Sequence, residues 1–348
     1  MRDAFLISVD STQLLEMLFM GFMGFALSMV LTPLYTTFAY EKKWWKKPRL
    51  EATTGEKAKV FAKLHASKHQ RNIPTMAGLI FVLAVALVTL MLNFSREQTW
   101  LPLAAFLGAA FVGLIDDIVN LRGSGKGTAG LSTRLKLGLI SLVAFIGGLF
   151  FYYKLDYDSI QIPGVGDVGI GLFIIPLFVL VVISTANAVN ISDGLDGLAG
   201  GLTSSAFGAY AIIAFMQGRF GIAAFCLTIV GALLSYTWFN IYPARFFMGD
   251  VGSFALGTAL GVVAMITNTV LLLPIIGAVF VVEAGSSLVQ ILSKKLRDGK
   301  KVFKIAPIHH HFEASGWPET KVTMRFWILG QVCAFVGLMI FIIGNYHV

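Results

Sequence analysis

The chain has 348 residues, of which 56% are apolar and 13% charged, and its mean hydropathy is +0.77. A soluble domain carries about 25% charged residues. The composition therefore excludes an ordinary soluble enzyme and a disordered chain, and it points to an all-α polytopic membrane protein. The net charge of +8 is read first as membrane topology, with the lipid bilayer as the solvent and no nucleic-acid partner.

In chain order, Met1 to Ser11 is net acidic and lacks a basic start, so the first apolar run is expected to stay as a span. Spans are predicted at 13–38, 75–94, 101–119, 133–153, 172–190, 198–217, 221–239, 252–267, 269–293 and 323–345. A span needs about 20 apolar residues. Ten spans use nearly all the apolar residues and leave little for a soluble part, so one integral membrane domain is expected over 1–348. The run from Gly252 to Val282 would make a helix of about 46 Å, too long for a hydrocarbon core of about 30 Å. Thr267-Asn268-Thr269 is the natural break.

The basic residues test this split, because cytoplasmic loops collect Lys and Arg. With ten spans, only Arg2, Arg96, Lys154 and Arg219 fall on one side, and the other twenty-three fall opposite. Merging the doubtful pair makes the sides nearly equal. The ten-span reading puts both termini outside and the long basic loops in the cytoplasm. The two cysteines, Cys226 and Cys333, lie within apolar runs and offer neither a disulfide framework nor a zinc site.

Five acids sit at span ends on the cytoplasmic side: Asp116, Asp117, Asp193, Asp196 and Asp250. Ionisable groups near hydrocarbon are costly and usually mark function. The bland alternative, acids in interfacial water, suits any one of them better than all five. Asn187, Asn190, Asp193 and Asp196 recur every three residues, a spacing that places them on one helical stripe. Clustered carboxylates without cysteine suit a hard cation such as magnesium, held by one or two carboxylates plus substrate phosphate. That combination points to phosphoryl transfer.

His309, His310 and His311 lie in the last cytoplasmic loop. On a helix they would point about 100° apart and could not chelate one ion together. An ordered loop presenting one or two of them to a diphosphate is expected. Lys136, one turn into the fourth span, lies near the Asp116–Asp117 end, where it can meet a phosphate. The basic stretches 42–71 and 294–304 are read as topology and contact with anionic lipid. Glu283 and Gln290, inside the ninth span, are left between pairing with a neighbouring helix and lining a groove. Gly164-Val165-Gly166-Asp167-Val168-Gly169 matches G-x-G-x-x-G in form, but it lies in an external loop without a βαβ unit and is not a dinucleotide fingerprint. Gly123 to Thr128 is glycine-rich but fits no P-loop.

Four blocks resemble a known family. They are Asp116-Asp117, Asn187 through Gly197, Phe247-Met248-Gly249-Asp250-Val251-Gly252-Ser253, and Pro307-Ile308-His309-His310-His311-Phe312-Glu313. Together they look like the polyprenyl-phosphate N-acetylhexosamine-1-phosphate transferases. The histidine block, with Gly316-Trp317-Pro318-Glu319 and Arg325-Phe326-Trp327 after it, is similar to the phospho-N-acetylmuramoyl-pentapeptide-transferase branch. The resemblance implies ten spans, external termini and an active site at the cytoplasmic face of a bacterial plasma membrane. It implies undecaprenyl phosphate and UDP-N-acetylmuramoyl-pentapeptide as substrates, lipid I and UMP as products, and Mg2+ as cofactor. Carried over by motif, Asp250 binds magnesium together with Asp117. Asp116 or Asp117 is the base, or holds the lipid phosphate and the metal. Asn187, Asn190, Asp193 and Asp196 line the substrate region. His309 contacts the diphosphate, with His310 and His311 beside it, and Lys136 contacts a phosphate. Members of the family are commonly homodimers, which this sequence neither supports nor opposes.

One block departs from the family pattern. Asn72-Ile73-Pro74-Thr75-Met76-Ala77-Gly78 stands where the family carries Gly-Thr-Pro-Thr-Met-Gly-Gly, and either Lys68 or Arg71 would be the basic residue upstream. Two rival readings stand beside the first. One is a sister transferase using UDP-N-acetylglucosamine, which shares the acidic blocks. The other is a cation- or proton-coupled transporter, against which the acids gather at one face and no inverted repeat is evident.

Overall fold

The computed structural model describes residues 11–45, 72–123 and 130–346. Lys68, Arg71, the glycine-rich residues 124–129 and the first ten residues lie outside the described residues. Helix α1 runs Ser11–Glu41, α2 Gly78–Leu92, α3 Trp100–Arg122 and α4 Thr133–Tyr153. After a hairpin of β1 (Ser159–Ile162) and β2 (Gly166–Gly169) come α5 (Ile174–Ser192), α6 (Leu198–Met216), α7 (Phe220–Asn240) and α8 (Gly249–Ile266). The chain then forms α9 (Leu273–Ile276), α10 (Ala278–Leu296), the short α11 (Ile308–Glu313) and α12 (Glu319–Tyr346).

Among the described residues, eight helices are long and apolar enough to cross a membrane, and nine if α9 and α10 form one bent span. The shorter α2 is equally apolar. These passes follow the expected order, and the helix breaks after Ile266 at Thr267-Asn268-Thr269, where Asn268 has φ 51°. Backbone groups in lipid must be satisfied within the segment, which dictates helices. Hydroxyls inside them bond back one turn, as in Thr203 to Ala199 O at 2.6 Å and Thr228 to Ala224 O at 2.8 Å. Outward residues such as Met91 (79% exposed) and Trp238 (72%) form the apolar shell expected to face lipid. Helix α8 is the opposite: it is almost wholly buried, packed against α3, α5 and α2.

Three expectations need correction. The second span begins at Gly78, not 75, because Pro74 and the positive φ of Asn72 (49°) and Met76 (71°) hold 72–77 out of the helix. That segment instead pairs with the approach to α8. Phe247 N–H donates to Pro74 O at 2.8 Å, Ala77 N–H to Phe247 O at 3.0 Å and Gly78 N–H to Met248 O at 2.9 Å. The ninth span is not straight: α10 turns by 81° at Gly277, between a helix opened by Pro274 and one capped by glycine. The Asn187–Asp196 stripe is also interrupted. Helix α5 ends at Ser192, Asp193 caps it, and Gly197 follows with φ 78°. The hairpin settles the glycine motif at 164–169 as the turn and second strand of an antiparallel pair, Ser159 opposite Gly169.

Close helix packing in lipid relies on small residues. A Cβ on Gly78 would lie 2.5 Å from the Cα and N of Gly252, backbone that has nowhere to move. Gly138 faces open space. Gly78→Leu should therefore destabilise the detergent-solubilised protein by about 1–3 kcal/mol or more and visibly lower its melting temperature, while Gly138→Leu should not. Equal melting curves for the two variants would overturn this packing.

Candidate active site

The C-terminal turns of α3 and α5 and the first turns of α4 and α8 meet at one end of the bundle. Asp116 and Asp117 are buried there. Lys136 Nζ donates to Asp116 Oδ2 at 2.8 Å and to Asp250 Oδ2 at 2.9 Å. Asp116 Oδ1 accepts from Leu131 N–H at 2.6 Å. Asp117 Oδ2 accepts from Val251 N–H at 3.0 Å. Asn190 Nδ2 donates to Asp250 Oδ1 at 3.3 Å and to Ser253 Oγ at 2.8 Å. Four of the residues expected at the site, Asp116, Lys136, Asn190 and Asp250, thus form one connected cluster.

Local structure explains why these groups can converge. Asp250 lies in the first turn of α8, where an acid is favoured by the helix dipole. The preceding Gly249 has φ 76°, and a Cβ on it would lie 2.5 Å from Asp117 Oδ2. Gly113 of α3 packs directly on the Asp250 backbone. Glycine at both places lets α3 and α8 come close enough to share the carboxylates.

The other expected residues take different places. Asn187 Nδ2 bonds its own helix at Ile183 O, 2.8 Å. Asp193 caps α5. Asp196 is buried: its Oδ2 accepts from Ala244 N–H at 2.9 Å, and its own N–H donates to Glu319 Oε1 at 2.7 Å. It ties the turn to the 241–248 loop and to the start of α12. Asn240, which sequence reasoning passed over, and Trp327, quoted there only as part of a motif, brace the same turn. Asn240 Oδ1 accepts from Gly197 N–H at 2.9 Å, and Trp327 Nε1 donates to Gly197 O at 3.1 Å.

The three histidines sit on α11 and diverge to three partners. His309 Nδ1 is 2.7 Å from Glu283 Oε2, and His310 Nδ1 is 2.7 Å from Glu313 Oε2. His311 Nδ1 accepts from Lys304 N–H at 3.1 Å. Burial, with His309 alongside, holds the His310 pKa below the usual histidine range, against the pull of Glu313. The His309 ring packs on Gly194, leaving no room for a Cβ there. The histidine block therefore reaches the turn that follows Asn190.

The loop carrying the histidines is held by a polar stripe on α10. Besides Glu283 on His309, Ser286 Oγ accepts from Ile308 N–H at 3.0 Å. Gln290 Oε1 accepts from Val302 and Phe303 N–H, both at 3.0 Å, and its Nε2 donates to Phe303 O at 2.9 Å. Ser293 Oγ donates to Lys300 O at 2.9 Å. Glu283 and Gln290, left open by the sequence, are rungs of this clamp. Their spacing with Ser286 and Ser293, three or four residues apart, is the signal that could have found it.

Among the described residues no three His, Cys, Asp or Glu gather as a preformed metal shell. The donor chemistry still suits a hard cation. The set is all oxygen, and two carboxylates, Asp116 and Asp250, already converge on one positive charge. A magnesium site completed by substrate phosphate needs only one or two protein carboxylates.

A family model described as glycosyl transferase family 4 matches residues 99–268, a stretch that holds every acid of the cluster but not α11. Full-length relatives cover far more. A protein named phospho-N-acetylmuramoyl-pentapeptide-transferase from Chloroflexus aurantiacus is 40% identical over 333 residues, 92% of this chain and 88% of its own length. Proteins of the same name from Geobacillus sp. and Anoxybacillus flavithermus are 36% and 37% identical, covering 91% and 93% of this chain and 95% and 97% of their own. With that identity running over nearly the whole of both chains, the chain belongs to the phospho-N-acetylmuramoyl-pentapeptide-transferase family.

Proposed function

We propose that the protein is a multi-pass enzyme of the bacterial plasma membrane that transfers phospho-N-acetylmuramoyl-pentapeptide from its UDP conjugate to undecaprenyl phosphate. The observation that carries this reading is the Asp116–Lys136–Asp250–Asn190 cluster at one end of an apolar bundle, in a chain of this family. A phosphate on a lipid and a phosphate on a water-soluble nucleotide can meet only where hydrocarbon ends and charge begins. Acids and a lysine gathered at one bundle end suit that better than a transport path, which would step charges through the midplane.

In the reaction an oxygen of the lipid phosphate attacks the sugar-linked phosphorus. The new P–O bond forms as the bond to UMP breaks, giving lipid I. Lys136 would turn its ammonium from the two carboxylates toward a phosphate oxygen, as a point charge suited to phosphate. Asp116 or Asp117 would take the proton of a monoprotonated lipid phosphate. Asn190 orients Asp250, and His309 would donate to the diphosphate. Asp250 and Asp117 would hold Mg2+, whose chemistry here is neutralisation of charge on the phosphates.

The test is UMP release by purified protein in detergent with undecaprenyl phosphate and magnesium, offering UDP-N-acetylmuramoyl-pentapeptide or UDP-N-acetylglucosamine. Release with the first alone, abolished by EDTA, is expected. Release with the second alone would move the protein to the sister activity, and activity surviving EDTA would remove the metal. Asp250→Asn should lower turnover at least about a hundredfold, the scale of one lost electrostatic group in a transition state, with the protein still folded in detergent. Near-normal turnover at saturating magnesium would take Asp250 out of the site. Lys136→Met should lose turnover on a similar scale, and the same assay would reveal wild-type rates if the ammonium serves packing alone.

A further inference from the structure

Glu283 has no part in the scheme above, yet it is fully buried and its carboxylate meets an equally buried His309 at 2.7 Å. Burying an ionisable group is costly unless it is paired and hydrogen-bonded. Holding the histidine loop does not require one. The other rungs of the α10 stripe, Ser286, Gln290 and Ser293, do so as neutral hydroxyls and an amide. Only the rung that faces His309 carries an acid.

A carboxylate beside one ring nitrogen keeps the proton on that nitrogen and fixes the orientation of the ring. Here the carboxylate is at Nδ1, so the opposite edge of the ring is the working edge. That edge lies against Gly194, in the turn that follows Asn190 and Asp193 and precedes Asp196. We propose that Glu283 is a positioning residue for His309. It holds Nδ1–H, aims Nε2 at Gly194 of the Asn190–Gly197 turn, and stabilises positive charge on the ring when Nε2 donates to the diphosphate. The inference rests on the proposed function for its substrate, a nucleoside diphosphate sugar, but its geometry stands on this structure alone.

Glu283→Gln keeps the shape and an acceptor but removes the charge. It should lower kcat for UMP release about tenfold to a hundredfold, the usual range for a lost partner behind a working histidine, with KM for the nucleotide substrate little changed. In a His309→Ala background the same substitution should cost nothing more, since coupled residues are not additive. An equal loss in both backgrounds, or full kcat for Glu283→Gln, would overturn the proposal. A second readout does not depend on activity or on the variant folding. In 15N-histidine-labelled wild-type protein in detergent, the His309 ring should carry a proton on Nδ1. A proton on Nε2 with Nδ1 bare would refute the assignment. If wild-type protein released no UMP from either sugar nucleotide, the functional reading would fail and the nitrogen spectra would decide the Glu283 proposal by themselves.

Discussion

The ammonium of Lys136 between Asp116 and Asp250 is the contact on which this end of the molecule depends. Two carboxylates held side by side at the edge of an apolar bundle repel each other and lose hydration. A cation between them reverses both effects. The salt bridge also sets register, because its residues come from three helices, the consecutive α3 and α4 and the distant α8. Sliding any of these helices by a turn would leave a carboxylate buried without its counter-charge, and breaking a buried pair costs about 3–5 kcal/mol. Glycines make the approach feasible. Gly113 lies on the Asp250 backbone and Gly249 beside the Asp117 carboxylate, so the main chain of α8 can come close to α3 at this end.

A second arrangement brings His309 to the turn that follows Asn190. Turning the chain by 81° at Gly277 aims α10 so that one face can lie along the loop at 300–311. Its outer residues Leu288, Ile291 and Leu296 are apolar and exposed. Its inner residues are Glu283, Ser286, Gln290 and Ser293, all buried. A helix with that division is shaped for a boundary, lipid-compatible outside and loop-binding inside. The clamp satisfies backbone groups of a loop that would otherwise need water, and in doing so it delivers His309 to Gly194.

Much of this was legible in the sequence because apolar run length is a strong signal in lipid. The passes, the break at Asn268 and the gathering of acids at one face all follow from run length and basic-residue asymmetry. The proximity of Lys136 to Asp116 followed from counting one turn into a span. What failed was direction. Hydropathy sums the apolar residues of 269–293 without registering that Pro274 and Gly277 bend the path. The regular spacing of Asn187, Asn190, Asp193 and Asp196 suggested a stripe, but Asp193 ends the helix and Asp196 serves the 241–248 loop through Ala244 N–H. The pairing of Pro74 and Ala77 with Phe247 joins two segments far apart in sequence, and no local pattern announces it. That pairing also gives the divergent Asn72–Gly78 block a structural duty, braced against the residues that lead into Asp250.

The acids at this end differ in what holds them, and the difference bears on chemistry. Asp117 is anchored by Val251 N–H, and Asp196 by Ala244 N–H. Main-chain donors do not move unless the fold moves, so these carboxylates are held in place by the framework. Asp250 is held otherwise, by the side-chain amide of Asn190 and the ammonium of Lys136. Asp116 has one oxygen on Leu131 N–H and the other on the same ammonium. A flexible lysine stem can swing aside without moving a helix, provided that another cation takes its place between the carboxylates. The cation between Asp116 and Asp250 is therefore the exchangeable part of the site, and on the proposed function a divalent ion would take its place there while the ammonium turns to a phosphate. On the proposed function that division serves an enzyme which admits a lipid and a nucleotide from different solvents, because the backbone-held groups keep their geometry while the Lys136 ammonium would follow the substrate.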